Sequence, residues 1–316
     1  MTAASPSAAG RLTAGSGRPS LRHRLADRGV DRVLLLLIPG VIFLVLLFVY
    51  PFLYGLQLSF APAEQGTAAA AGYHGPLADY QNFFSDPYLR DTIWTTLSIG
   101  VPAALVNVLA SVPIAYRMRG RFRFKRTMTT LLVVPIALGT VLTADGLLTF
   151  LGPAGWINKT LVDFKLISEP LMLVHNYWGV FFSLVITGFP FAFLLVLSYL
   201  SGIDPNLERA ASVMGAGWWP RFRYVIFPLL VPGLAITFCL SFVLAFSVFP
   251  SANLVGDPAG ETRVISIAAY HAAFEQFDYS MGSAISMIMG AVMLAIIAVV
   301  LGWRSTMFRG PTGGKG

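Results

Sequence analysis

Six blocks of apolar residues dominate the chain, at 33–56, 92–116, 128–151, 177–200, 224–249 and 281–303, and the polar residues gather between them. At about 1.5 Å per helical residue each block is long enough to cross the roughly 30 Å hydrocarbon core of a bilayer. A lone strand would leave its amides and carbonyls unpaired in lipid, so the pattern predicts six transmembrane helices and an all-α membrane protein. Pro102, Pro113, Pro135, Pro190 and Pro232 lie inside the blocks, as do Gly188 and Gly233. Between packed membrane helices the backbone groups freed by such residues find other partners, so kinks are expected rather than breaks.

The segments between the blocks set the orientation, because arginine and lysine favour the cytoplasmic side. With the N-terminus inside, four inner segments hold 18 of these residues, among them the run from Arg117 to Arg126 and the three residues Arg209, Arg221 and Arg223, while Arg90, Lys159, Lys165 and Arg263 lie outside. Both termini are therefore expected in the cytoplasm. Residues 1–31, rich in Ala, Ser, Gly, Thr and Arg, read as a disordered cytoplasmic tail, 32–303 as the membrane domain and 304–316 as a second cytoplasmic tail. No small-residue cleavage site follows closely behind the first block, which therefore reads as a retained span rather than a signal peptide. Of the outer segments, 68–71 reads as flexible and 77–89, with Tyr80, Phe83, Phe84 and Tyr88, as a short helix on the outer surface.

Composition agrees: 56% of the 316 residues are hydrophobic and 12% charged, about half the charge of a soluble protein. The net charge of +7 would suggest nucleic acid in a soluble chain, but the inner-side placement accounts for it and no nucleic-acid partner is expected. Cys239 is the single cysteine, and His23, His74, His175 and His271 are scattered, so neither a disulfide nor a metal motif is available. No phosphate-binding loop of the GxxxxGK[ST] form and no nucleophile-plus-base arrangement occurs. Enzyme chemistry and ATP binding are not expected in this chain.

The most informative polar interval runs from 204 to 228. Asp204 can accept hydrogen bonds from unpaired amides at a helix start, and Pro205 suits the first helical position. Leu207, Glu208, Arg209, Ala210, Ala211 and Met214 favour a helix, and Gly215 and Gly217 arrive where a left-handed stop belongs. The expected element is a helix of roughly 10 residues, about 15 Å long. Behind it Trp218, Trp219, Arg221, Arg223 and Tyr224 form an aromatic and basic band suited to a membrane surface.

The order Ala210, Ala211, three residues, Gly215, nine residues, Val225, one residue, Phe227, Pro228 resembles the EAA signature of binding-protein-dependent ABC importer permeases. That pattern is Glu-Ala-Ala, three residues, Gly, nine residues, Ile, one residue, Leu-Pro. Arg209 stands where the family has Glu, with Glu208 one place earlier. The resemblance extends over most of residues 30–305 and is nearest to the spermidine/putrescine-type permeases, through stretches such as LLVVPIALGTVLTADGLLTFLGPAGWINKTL. It implies a type I ABC importer permease fold in a bacterial inner membrane, with residues 204–223 as a cytoplasmic coupling segment. Glu208, Arg209, Ala210, Ala211, Gly215 and Pro228 would couple to the ATPase, with the contact open between Glu208 and Arg209. Implied partners are a second homologous permease, two ATPase subunits holding ATP and Mg, and an extracytoplasmic solute-binding protein; the implied solute is polyamine-like, with ferric ion, a sugar or another small solute as alternatives.

For a substrate pathway the candidates are Asp145, Thr143 and Asn107. Asp145 is the one acidic residue well inside a block. An intramembrane carboxylate faces the bundle or a watery path by default, so Asp145 is either a counter-charge for a cationic solute, a carboxylate bonded to a neighbouring helix, or a residue of the outer loop. Two other classes remain open: a secondary transporter, which should show inverted repeats, and a membrane scaffold, which would bind partners without solute flux.

Overall fold

The computed structural model describes residues 32–61, 66–120 and 125–307. The expected tail at 1–31 lies outside the described residues, as does most of the one expected from 304; residues 304–307 continue the last helix. Among the described residues every regular element is helical, and six stretches are long and apolar enough to cross a membrane: Leu37–Leu58, Pro87–Arg119, Arg126–Asp163, Tyr177–Gly202, Trp218–Phe246 and Tyr279–Thr306.

The chain forms two units, one up to Gly55 and one from Leu56 onward. In the first, α1 (Arg32–Leu44) passes through a π turn at Val45–Val49 into α2 (Tyr50–Leu58). Pro51 explains the turn. It has no N–H to donate and its ring presses on the preceding turn, and a wider turn takes up that clash.

The second unit comprises α3 (Thr67–Ala70), α4 (Ala78–Ser85), α5 (Pro87–Arg119), α6 (Lys125–Leu151), α7 (Trp156–Asp163) and α8 (Tyr177–Gly202). It continues with α9 (Pro205–Val213), α10 (Trp218–Arg221), α11 (Phe227–Phe246), α12 (Pro250–Leu254), α13 (Ile265–Tyr270) and α14 (Tyr279–Met307). Helices α5, α8 and α11 pack on one another through two layers. Towards the outside Ile99, Ala103, Val180, Leu184 and Ala245 meet, and towards the cytoplasm Val112, Ala115, Phe193, Val196, Ile226 and Leu230. In lipid this contact rests on close packing rather than on escape from water, so small residues matter. Gly233 of α11 lies so near Tyr199 of α8 that a Cβ would stand 2.5 Å from the ring.

Helix α6 is built differently. Gly139 (φ 76°, ψ 171°) bends it, and only 6% of its most apolar stretch is buried, against 44% for α5 and 50% for α11.

At the outer end the expected surface helix is α4. It stops at Ser85 because Asp86 caps α5, accepting from the Tyr88 amide at 2.9 Å, with Pro87 in the first turn. The expectation of a flexible 68–71 is corrected: Thr67–Ala70 is helical, and Ala68 is fully buried against Ala78. The reason is a distant cap. The Asp278 carboxylate accepts from the Thr67 amide at 2.8 Å and the Thr67 hydroxyl at 2.9 Å.

Candidate functional site

The segment after α8 folds as its composition requires. Asp204 accepts from the Asn206 amide at 2.9 Å and opens α9. At the other end the Ala216 amide donates to Ala211 O and the Gly215 amide to Ser212 O, both at 3.0 Å, a paired left-handed stop with Gly215 at φ +85°. Among the described residues no neighbouring atom lies within 4 Å of where a Gly215 Cβ would stand, so glycine is required there by the backbone and not by space. Helix α10 follows, and then a π turn at Phe222–Ile226 in which the Phe227 amide reaches back to Phe222 O. Pro228 sits just past that turn, as Pro51 does past its own, which gives the motif proline a local structural task.

Glu208 and Arg209 point in different directions. Glu208 accepts from the Tyr116 hydroxyl and from Arg119 Nη1, the latter at 3.2 Å. Arg119 also donates through Nη2 to Ile203 O, at the C-terminal cap of α8. The two charged side chains are largely covered, at 10% and 23% exposure. Arg209 is exposed, and among the described residues its guanidinium bonds only Asn206 Oδ1 of its own turn, at 3.3 Å, while its carbonyl accepts from the Ser212 hydroxyl at 2.7 Å. Ala211 is buried, whereas Ala210 is exposed beside Leu207, Val213 (88% exposed) and Met214 (82%). The outward face of α9 thus carries one arginine with the polar Asn206 and Ser212 among apolar side chains, and Glu208 is held inside the chain. Spacing did not reveal Tyr116 and Arg119 as partners. One signal was present: an acid displaced by one residue is turned by about 100° around a helix and leaves the face its neighbour occupies.

A second polar site lies between α5, α6, α8 and α11. It is a cavity of about 280 Å³ whose lining includes Asn107, Thr140, Thr187, Ser241 and Ser247. Asn107 donates from Nδ2 to Leu184 O at 3.2 Å; its Oδ1 and the Ser241 hydroxyl oxygen are buried without a partner among the described residues. Gly188 makes room for the amide, since a Cβ there would stand 2.5 Å from Asn107 Nδ2. Among the described residues that line it, none carries a charge. The three expected pathway residues do not converge. Asn107 lines the cavity; Thr143 returns its hydroxyl to Gly139 O at 2.7 Å, within the bend of α6; Asp145 is exposed on α6 and does not line it. Asp145 lies in the helix and not in the outer loop, and among the described residues no neighbouring helix bonds its carboxylate.

A core of membrane-spanning helices with a polar cavity inside it and a folded polar segment at its cytoplasmic end has the form of a membrane transport subunit. The chain belongs to the family described as binding-protein-dependent transport system inner membrane component, whose pattern matches residues 8–308. Among curated relatives it is 29% identical over 217 residues to the probable sulfate transport system permease protein cysT of Prototheca wickerhamii, covering 68% of this chain and 82% of that one. It is 26% identical over 224 residues to the spermidine/putrescine permease PotB of Haemophilus influenzae (71% and 77% covered). It is also 26% identical over 279 residues to the trehalose permease SugA of Mycobacterium tuberculosis (88% and 89%). Its fold matches a chain of a bacterial alginate ABC transporter crystallised with an alginate-bound periplasmic protein, with a TM-score of 0.75 at 21% identity over 90% of this chain and 98% of that one. The protein is therefore a multi-pass inner-membrane permease subunit of an ABC importer. Family membership leaves the solute open, because the relatives' names span an anion, polyamines and a sugar.

Proposed function

We propose that this chain passes a small neutral, hydroxylated solute through the Asn107 cavity, driven by ATP and Mg held on two separate ATPase subunits that meet the outward face of α9. The observation that carries the solute class is the polar part of the cavity lining, amide and hydroxyl groups set among apolar side chains such as Leu184, Leu244 and Val248, with no acid or base among the described residues. Unpaired Asn107 Oδ1 and Ser241 Oγ suit hydroxyl groups, which can both donate and accept. On the cytoplasmic side Arg209, Leu207, Ala210, Val213 and Met214 form the contact with the ATPase, and Gly215 sets the angle at which they are presented. A second homologous permease completes the channel, and an extracytoplasmic binding protein delivers the solute.

A polyamine-like solute is the second reading, favoured by Asp145: a carboxylate on an exposed face within a span is costly against lipid and suits a path shared with the second permease. One experiment separates the two. The assembled importer is reconstituted in proteoliposomes, and ATP hydrolysis is measured with its binding protein exposed in turn to trehalose, spermidine and sulfate. Stimulation by the sugar, reduced several-fold by Asn107→Ala and unchanged by Asp145→Asn, is the expected result. Stimulation by spermidine alone, lost in Asp145→Asn, would replace the neutral reading with the cationic one.

A further inference from the structure

Helix α9 is short and joined to its neighbours at both ends by a few non-helical residues. Ile203 and Asp204 join it to α8, and Gly215 to Gly217 join it to α10. A push on such a helix would rotate it about its ends and go no further unless something gripped its middle. Glu208, on the inward side of α9, supplies the grip. Its carboxylate takes one hydrogen bond from the Tyr116 hydroxyl and one from the Arg119 guanidinium, both on the last turn of α5. Arg119 uses a second nitrogen on Ile203 O, where a cation also suits the negative end of α8. Three helices are thereby tied through one guanidinium. The knot is mostly shielded from water, where charge-assisted hydrogen bonds are strong and loss of one partner strands the other. Aromatic rings close it from the side: Tyr116 packs edge-on against Phe222 at 5.2 Å between centroids and lies 6.3 Å from Trp218. Helix α5 continues from Tyr116 past Pro113, where one backbone hydrogen bond is missing but the helix persists, to Asn107, nine residues or about 14 Å deeper in the membrane.

We propose that Glu208, Tyr116 and Arg119 form a latch that makes α9 and α5 move as one body, so that displacement of the coupling helix reaches the Asn107 cavity; Glu208 is then a positioning residue facing inward and not an ATPase contact. This rests on the reading of α9 as the coupling helix. The test uses the complete importer in proteoliposomes, with three readouts: chain insertion, co-purification of the ATPase subunits, and solute transported per ATP hydrolysed. Glu208→Gln and Arg119→Met should each insert and retain the ATPase subunits, yet lower the transport-to-hydrolysis ratio about 5-fold or more. The double variant should be no worse than either single one, because both remove the same connection. Tyr116→Phe should lower the ratio less. An unchanged ratio in the two single variants, independent multiplicative losses in the double variant, or loss of the ATPase subunits from Glu208→Gln would each overturn the latch. Met214→Asp, on the outward face, is the separate check on the coupling reading. It should release the ATPase subunits, and their full retention would remove that reading whatever the latch variants do.

Discussion

Helix α5 carries two polar clusters whose bonding differs. At its cytoplasmic end Tyr116 and Arg119 are paired with Glu208 and Ile203, and the neighbouring segment closes its own ends through Asp204 and Gly215. Deeper in the membrane, among the described residues, Asn107 keeps Oδ1 unpaired and Ser241 keeps its hydroxyl unpaired, beside a cavity that could satisfy both. A buried polar atom without a partner costs about 1–3 kcal/mol. A satisfied cluster fixes geometry and transmits force; an unsatisfied one holds binding capacity for something that comes and goes. The difference teaches that along one helix the two clusters differ in the state of their hydrogen bonds as well as in charge, the paired one built on an ion pair and the unpaired one on neutral amide and hydroxyl groups.

The largest expected effect comes from the satisfied end. Gly215→Val places a β-branched residue at φ +85°, a strain of about 1–3 kcal/mol that the segment relieves by re-aiming α9. Solute uptake by membranes containing equal amounts of chain should fall at least tenfold, whereas Gly215→Asn, which tolerates this conformation, should keep most of it. Equal uptake for valine and asparagine would break the claim that this end works by fixed geometry. Next comes the packing that joins the two ends. Gly233→Val drives a side chain into the Tyr199 ring and should destabilise the detergent-solubilised protein by about 1–3 kcal/mol, read as a lowered melting temperature.

Ser241→Ala sharpens the contrast from the other side. Removing a buried hydroxyl that has no partner should raise stability by up to about 1 kcal/mol while uptake drops a few-fold. A fall in stability would mean that the hydroxyl is satisfied after all and that the cavity is not a responsive site. The smallest effect concerns the outer cap. Burial pushes the Asp79 carboxyl above its usual 3.8, outweighing the hydrogen bond with Ser280, and the Asp278 charge adds to the rise. The folded state therefore holds a proton that the unfolded state has lost, and stability falls as pH rises from 3.8 through the higher folded value. Asp79→Asn should flatten the melting temperature over this window and raise it slightly at neutral pH; a wild-type protein that gains stability across the same window would contradict the assignment.

Much of the fold of residues 204–223 was legible because its signals are local. Asp204 before Pro205, helix formers to Met214 and Gly215 at the stop lie within a dozen residues and act on their own backbone. The orientation of Glu208 was not legible, since its partners Tyr116 and Arg119 stand 92 and 89 positions away. The same holds for Thr67, capped by Asp278 from 211 positions away.

By itself the sequence determined the six apolar blocks and the side on which arginine and lysine gather, because block length and charge count do not depend on how the helices pack. Tertiary structure decided which faces of those helices meet. In lipid a spanning helix is apolar all round, so hydrophobic periodicity carries no record of its rotation. Only packing could show that Asn107, Thr187 and Ser241 share a cavity, that Asp145 stands apart from it, and that Glu208 turns inward while Arg209 turns out.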